Sequence, residues 1–242
     1  MASPPISTAS PSSWPMRLAV IALVAAVLVI AAGPLTAAGT PWQLGIALFA
    51  LGGLIAGVAA VIVAVYALRR LGPSVLMGVA AVAGLIAFGV VAAKIVEGRG
   101  VPSIHDITTD TRDPPQFQAL IAERGENVSP AAYDGELVAA AQRTAYPDLV
   151  GVLLSEAPTA AFDRALAATR DMGWRVVLAD AAGGRIEAVA TVPWWGYKDD
   201  VVVRIRPDAG GSRVDVRSKS RVGQGDLGVN AARIRAYLAK LQ

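Results

Sequence analysis

The chain contains no cysteine and only one histidine among its 242 residues. The absence of cysteine excludes a disulfide scaffold, a thiolate metal site and a cysteine nucleophile. Acidic residues are missing from the first 96 positions, because all nineteen lie at or after Glu97. Proton relays and ion sites inside a membrane depend on such groups, so their absence disfavours a transporter.

Residues 18–93 are almost entirely apolar or small, and only Arg69 and Arg70 are charged within this block. A bilayer core about 30 Å thick requires about 20 apolar residues in one helix. The block supplies three such runs, at residues 18–38, 42–68 and 74–93. We therefore predict a disordered cytoplasmic tail at residues 1–16 and three transmembrane helices within residues 17–96.

Basic residues flank the predicted spans unevenly. Arg17 precedes the first span and Arg69 and Arg70 follow the second, whereas the loop between these spans has no charge. Because short basic loops are retained in the cytoplasm, this pattern predicts an inner (plasma) membrane protein with a cytoplasmic N-terminus and an extracytoplasmic C-terminal domain. Lys94 and Arg99 favour the opposite orientation weakly. Cleavage after the first span, as in a signal peptide, is an alternative that would not move the domain.

Gly53 and Gly57 form a G-x-x-x-G pair in the second predicted span. Small residues at this spacing let another helix approach closely. The pair is explained either by packing among the three spans or by a contact between copies of the chain.

The 145 residues after Glu97 are long enough for one domain with its own core. Including Glu97 itself, this part of the chain holds eighteen basic and nineteen acidic residues. The chain's net charge of +3 therefore comes from the basic residues in and around the spans, which are Arg17, Arg69, Arg70 and Lys94. The predicted partner is the lipid bilayer, and no nucleic acid is expected.

Apolar periodicity predicts an α+β domain that follows the three transmembrane helices. Residues 97–148 read as an extended and short-helical segment that wraps the domain, and residues 149–242 read as the core. Val201, Val203 and Ile205 alternate with polar residues, as in a strand with one buried face. The predicted order is β-α-β-β-β-β-α, with an antiparallel sheet and two main helices on one face. Asp226 is the expected N-cap of the last helix, whose apolar stripe begins at Leu227.

Three separated motifs carry a family resemblance. They are residues 102–110 (PSIHDITTD), residues 146–148 (YPD), and residues 217–231, which include RSKSRVG and DLGVNA. On these motifs, residues 101–241 resemble the bacterial family named domain of unknown function 1499. The resemblance implies a fold and, as in many members, a preceding membrane segment. It implies no catalytic residues.

The single histidine, His105, stands beside Asp106 and close to Asp110. One imidazole and two carboxylates suggest a divalent metal site, although tight sites generally use more nitrogen or sulfur ligands. A hydrolase built from His105 with Ser218 or Ser220 is a further option, but no G-x-S-x-G motif surrounds either serine. The alternative is structural, with these side chains holding an extended segment by hydrogen bonds. We expect no metal and no cofactor.

The second face of the predicted sheet is rich in charge. This face could form a cationic surface for an anionic lipid, an anionic glycan or an envelope protein. The alternative is a solvated face with cross-strand ion pairs. Its members are Arg204, Arg206, Arg213, Arg217 and Lys219, with Glu187 and Asp215 among them.

Trp194, Trp195 and Tyr197 cluster in a strand connection. They would either close the open end of the sheet, rest on the membrane interface or line a ligand groove. Residues 217–230 are also rich in glycine, which favours a tight turn before the last helix over an anion site, since the phosphate-loop pattern is absent.

These observations predict an integral membrane protein whose extracytoplasmic domain is a binding or structural module of the cell envelope. The alternative is an extracytoplasmic hydrolase or metal-dependent enzyme that uses His105 and nearby carboxylates. The two classes differ in whether these groups converge with a serine or a third ligand.

Overall fold

A computed structural model describes residues 13–69 and 74–242 of the chain. The chain divides into two compact units, Met1–Ile95 and Val96–Gln242. Most of the predicted cytoplasmic tail lies outside the described residues, as do Arg70 and the rest of the connection between the second and third predicted spans, residues 71–73.

The first unit consists of long apolar helices, which are α1 (Trp14–Ala37), α2 (Trp42–Arg69) and α3 (Val75–Arg99). They contain 24, 28 and 25 residues, and each is long and apolar enough to cross a membrane. The prediction of three long apolar helices is confirmed. The first helix begins at Trp14, earlier than predicted, with Pro15 in its first turn, where a missing N–H leaves no helical hydrogen bond unmade.

The G-x-x-x-G pair packs inside this unit. A Cβ atom at Gly53 would lie 2.5 Å from Val91 Cγ2, and one at Gly57 would lie 2.8 Å from Phe88 Cβ. Both distances are too short for any larger residue, so the two glycines let α3 lie directly against α2. Of the two explanations, packing among the spans is the one that the structure shows.

The second unit is an α+β domain built on an antiparallel sheet, as predicted. The elements in chain order are β1 (Asp106–Thr108), α4 (Ala119–Glu123), α5 (Glu136–Ala145), β2 (Val152–Leu154), α6 (Pro158–Asp171), β3 (Arg175–Asp180), β4 (Arg185–Thr191), β5 (Lys198–Asp208), β6 (Gly211–Ser220) and α7 (Val229–Ala239). The strands lie in the order β1–β6–β5–β4–β3, and β2 pairs with the same edge of β6 as β1. The sequence predicts an extended segment at residues 103–111 and no sheet strand there, whereas the structure adds β1 from this segment to the sheet.

One face of the sheet is apolar and carries the main core. Val201, Val203 and Ile205 of β5 are buried there, as their alternation predicts. Helices α6 and α7 cover this face with Phe162 and Ile234, among other side chains. Other members of the core are Ile107, Trp174, Ile186, Ala188, Ala190, Val214, Val216, Ala231, Tyr237, Leu238 and Leu241.

The start of α7 differs from the prediction. The helix begins at Val229 after Gly228, which has a φ of 79°. Asp226 still caps this turn, because its carboxylate accepts hydrogen bonds from the N–H groups of Gly228 and Asn230, both at 2.8 Å. Leu227 is half exposed, with a φ of 54°, so it does not belong to the buried stripe of the helix.

Candidate functional site

The opposite face of the sheet is charged, and residues 106–134 supply the groups that pair with it. We call this stretch the covering segment, and it contains β1 and α4 and otherwise lacks regular structure up to α5. Glu187 of β4 illustrates how the segment is held. Its two carboxylate oxygens accept hydrogen bonds from the backbone N–H groups of Gln118 (2.8 Å) and Leu120 (2.9 Å) at the start of α4. The sheet face is therefore covered by chain, and the alternative of a solvated face is wrong for its buried members.

The first charged cluster centres on Asp106 and Arg217, which are both fully buried. Arg217 donates two hydrogen bonds to the carboxylate, from Nε to Oδ1 at 2.8 Å and from Nη2 to Oδ2 at 2.9 Å. Lys219 Nζ lies 3.2 Å from Asp106 Oδ2 and 2.6 Å from Asp134 Oδ1. His105 Nε2 completes the row at 3.4 Å from Asp134 Oδ2. We refer to these five residues as the buried cluster.

Aromatic rings and backbone carbonyls enclose the guanidinium of Arg217. Its Cζ lies 4.6 Å from the centre of the Phe117 ring and 5.3 Å from that of Tyr133. The carbonyls of Pro115 and Ala131 accept two further hydrogen bonds from it. Burial, and then the charge of Asp106, raise the pKa of Tyr133 to about 12. Arg217 thus binds three parts of the covering segment at once and has no surface to offer a partner in this arrangement.

A second cluster lies further along β5 and β6. Asp215 is fully buried, and its Oδ2 lies 3.3 Å from Arg204 Nη2 and 3.2 Å from Arg206 Nη2. From the covering segment, Asp110 and Asp113 bind the same two arginines, at distances of 2.8–3.5 Å. This group and Arg213, which donates to both oxygens of Asp215, form what we call the arginine cluster.

The arginine cluster borders an open cleft of about 520 Å³. Its walls are residues 109–113 together with Arg206 and Arg213. Arg206 and Arg213 keep 40% and 34% of their side-chain surface exposed, although the carboxylate of Asp215 holds both from below. Burial alone would raise the pKa of Asp215, but the hydrogen bonds and charges of Arg213 and Arg204 outweigh it and lower the pKa. The carboxylate therefore stays ionised and fixes the two guanidinium groups at the cleft.

The groups proposed for a metal site or hydrolase are separated by these pairings. Asp106 is bound to Arg217, and Asp110 is bound to Arg204. The carboxylate that His105 contacts is that of Asp134. Within residues 13–69 and 74–242, no three His, Asp or Glu side chains are grouped to hold a metal ion.

The two serines considered for a hydrolase join a separate network. Ser218 Oγ donates to Asn230 Oδ1 at 2.6 Å, and Ser220 Oγ accepts from Asn230 Nδ2 at 2.9 Å. Asn230 also donates to the carbonyl of His105 at 3.1 Å. This network ties α7 to β6 and to the beginning of β1. The structure therefore gives Ser218 and Ser220 a packing role beside the main core.

The predicted aromatic cluster forms the connection between β4 and β5. Trp195 stacks on Tyr197, with ring centres 5.3 Å apart and planes at 10°, and meets Trp194 edge to face at 4.6 Å. The Val192 N–H donates to the Tyr197 carbonyl at 2.7 Å, which closes the turn. Trp194 has 43% of its surface exposed. We call residues 192–197 the aromatic hairpin.

Sequence reasoning missed several members of these networks. Asp134 binds Lys219, and Asp199 binds Arg233 of α7 at 2.5 Å. Asp200 is fully buried between Arg124 and Arg221. Asp199 and Asp200 stand directly before the apolar run at residues 201–203 of β5, and that position is the one signal in the sequence that they are buried. Their partners lie 21 to 76 residues away, so no local pattern identifies them.

Comparison with known proteins agrees with the motifs described above. The model of the family described as "Protein of unknown function (DUF1499)" matches residues 106–241. No curated protein matches the chain. The matched region begins at β1 and ends just after α7, so it contains the whole sheet, the arginine cluster, the aromatic hairpin and every member of the buried cluster except His105. It also covers more than half of the chain, and the chain therefore belongs to the DUF1499 family.

Proposed function

We propose that this DUF1499 protein is held in the inner membrane with its N-terminus in the cytoplasm and its α+β domain outside. The orientation is supported by the basic residues Arg17 and Arg69, which lie at the ends of α1 and α2 that would share the cytoplasmic side. The connection between α1 and α2, around residue 40, carries no charge. The domain follows α3, the third of the described apolar helices, which would place it on the side opposite to Arg17.

Outside the membrane, the domain acts as a binding module of the cell envelope rather than as an enzyme. One observation carries this proposal. The acidic and basic groups from which an active site would be built are paired with one another and fasten the covering segment to the sheet. Catalytic groups need a free face toward substrate, whereas paired and buried charges fix the shape of a surface.

The cleft of the arginine cluster is the binding surface that we propose. Arg206 and Arg213 reach it with part of their guanidinium surface exposed, and Arg112 adds a third cation to its wall. Asp113 has 64% of its side chain exposed, so it is the carboxylate that an incoming acidic group would most easily replace. An anionic group on an envelope protein, glycan or lipid fits this chemistry, because arginine binds carboxylate and phosphate with two parallel hydrogen bonds.

Two fusions at Gln242 test the orientation. Alkaline phosphatase folds into its active form outside the cytoplasm, and green fluorescent protein fluoresces inside it. We expect an active phosphatase fusion and a dark fluorescent-protein fusion. The reverse pair of results would overturn the proposed orientation without affecting the fold.

Charge reversal tests the cleft. A photo-crosslinking amino acid at position 112 should capture a partner from intact membranes, and Arg206→Glu should abolish that capture. Arg175→Glu is the matched control, since Arg175 is also an exposed strand arginine paired with a carboxylate, that of Glu123. Equal capture by the parent and the Arg206→Glu variant would contradict the proposal, provided that both variants unfold at the same urea concentration as the parent.

A further inference from the structure

One large apolar side chain of the aromatic hairpin stands on a residue whose backbone conformation is rare for residues other than glycine. Trp194 has a φ of 70°, in the left-handed region that residues with a Cβ rarely occupy. That conformation costs about 1–2 kcal/mol for an L-residue. The ring packs edge to face on Trp195, yet 43% of Trp194 remains exposed. The turn therefore holds a partly exposed indole at the surface of the domain.

The sheet register places this hairpin at the end of the domain where the chain arrives from α3. Asp106, the first residue of β1, stands opposite Lys219, which stands opposite Asp200 of β5. The hairpin continues from Asp200 back to Trp195, and five residues at about 3.3 Å each reach up to about 16 Å beyond that level. The arriving segment, residues 96–105, leaves β1 in the same direction, since it precedes Asp106 in an antiparallel arrangement with β6.

A second exposed apolar side chain lies beside the arriving segment. Leu227 is 46% exposed, and it also has a positive φ, 54°. A Cβ at Gly98 would lie 2.9 Å from Leu227 Cδ2, so the two residues are neighbours. Two of the three described non-glycine residues with positive φ thus display large apolar side chains at the same end of the sheet. Lys198, exposed at the base of the hairpin, adds a positive charge there.

We propose that the aromatic hairpin and Leu227 rest on the lipid–water interface of the membrane that holds the three spans. Tryptophan and tyrosine concentrate at that interface, where a ring meets the hydrocarbon edge and its polar atom meets water. The tether makes a weak contact sufficient, because residues 96–105 keep the hairpin close to the bilayer at high effective concentration. The inference rests on membrane insertion alone and does not depend on which side carries the domain or on what the cleft binds.

Lipid-borne quenchers test this contact on the full chain in nanodiscs. Three of the five tryptophans lie elsewhere, with Trp14 and Trp42 at helix starts in the first unit and Trp174 stacked on Tyr237 in the core. The reporter protein is Trp14→Phe/Trp42→Phe, which keeps the hairpin rings and Trp174. A Trp194→Phe/Trp195→Phe version of it measures the contribution of Trp174 alone.

The matched control moves the ring to the other end of the same strand. Ala209 is exposed in the turn after β5, and the control is Ala209→Trp in the version that lacks both hairpin tryptophans. Phosphatidylcholine brominated on its acyl chains should quench the reporter relative to unbrominated lipid, and aqueous iodide should quench it little. The relocated tryptophan should show the opposite pattern.

Two outcomes would overturn the proposal. In the first, iodide quenches the hairpin emission as strongly as that of the Ala209→Trp control, and brominated lipid has no effect. This result would place the hairpin in water or against a protein. The other is equal lipid quenching at both ends of β5, which would mean that the domain has no preferred end at the bilayer. Neither outcome changes the fusion or crosslinking results, so this inference and the proposed function fail separately.

Discussion

The two faces of the sheet are covered by different chemistry. On one face, α6 and α7 bury aliphatic and aromatic side chains against Val201, Val203 and Ile205. On the other, residues 106–134 are fastened largely by carboxylates, guanidinium groups and an ammonium, with one small apolar cluster of Phe117, Leu120, Val189 and Val202. Apolar contacts tolerate small changes of shape, whereas a buried charge is stable only while its partner is present. The charged face should therefore be the more sensitive to single substitutions.

Removal of Arg217 should give the largest effect. Arg217→Met leaves Asp106 buried with only Lys219 and the backbone N–H of Asp134 beside its carboxylate, and it removes the donor to the Pro115 and Ala131 carbonyls. Loss of one partner of a buried ion pair costs about 3–5 kcal/mol. Urea unfolding in detergent of a full chain with Trp174 as its one tryptophan (Trp14→Phe/Trp42→Phe/Trp194→Phe/Trp195→Phe), followed by fluorescence, would measure this loss.

Two further variants test whether the unpaired carboxylate of Asp106 causes this loss of stability. Asp106→Leu combined with Arg217→Met should recover part of the lost stability, because it leaves no unpaired carboxylate. Glu136→Gln removes the exposed partner of Arg143 and should cost less than about 1 kcal/mol. If Arg217→Met cost no more than Glu136→Gln, the charged face would not hold the covering segment.

The arginine cluster should give an intermediate effect that depends on pH. The pKa of Asp215 is lowered in the folded domain, so its pairing stabilises the fold above the pKa of an unfolded aspartate, about 3.9, and is lost as pH falls through the lower folded value. Asp215→Asn should cost about 1.5–3 kcal/mol at pH 7, the range for hydrogen bonds to charged groups. The difference from the parent should shrink below pH 4. A constant difference from pH 7 to pH 3 in urea unfolding would contradict this assignment.

The apolar face should respond least to a conservative change. Ile234 of α7 is fully buried in the core, and Ile234→Val removes one methylene group from it. Such a change costs about 0.5–1.5 kcal/mol, because neighbouring side chains partly fill the space. The comparison between the faces would be reversed if Ile234→Val destabilised the domain more than Arg217→Met did in the same urea series.

The apolar face was predictable because its signal is local. Alternation at every second residue marks the buried side of β4, β5 and β6, and helical spacing marks Ile234 and Leu238 in α7. Leu227 was assigned to that helix because its spacing fits the stripe, but the positive φ values of Leu227 and Gly228 delay the helix to Val229. Spacing alone does not reveal such a turn.

For the charged face, the sequence predicts which residues belong to it but not how they pair. His105, Asp106, Asp110, Arg204, Arg206 and Arg217 were all selected from the sequence, and the structure divides them between two clusters. Their pairing is not local, since Arg217 and Asp106 are 111 residues apart and Arg204 and Asp110 are 94 apart. Whether a strand arginine faces water or a folded segment depends on the path of residues 106–134, which carry almost no apolar period.

Strand β5 contains eleven residues and connects two of these features. The aromatic hairpin ends just before the first residue of this strand, Lys198. Arg206 stands eight residues after Lys198, or about 27 Å at 3.3–3.4 Å per residue. Electrostatic attraction to charged headgroups fades over about 8 Å in physiological salt. A hairpin seated in the bilayer would thus carry the cleft beyond the reach of the headgroups beneath it. The length of the strand would then set the distance of the arginines from the bilayer and leave them accessible to molecules in the surrounding space.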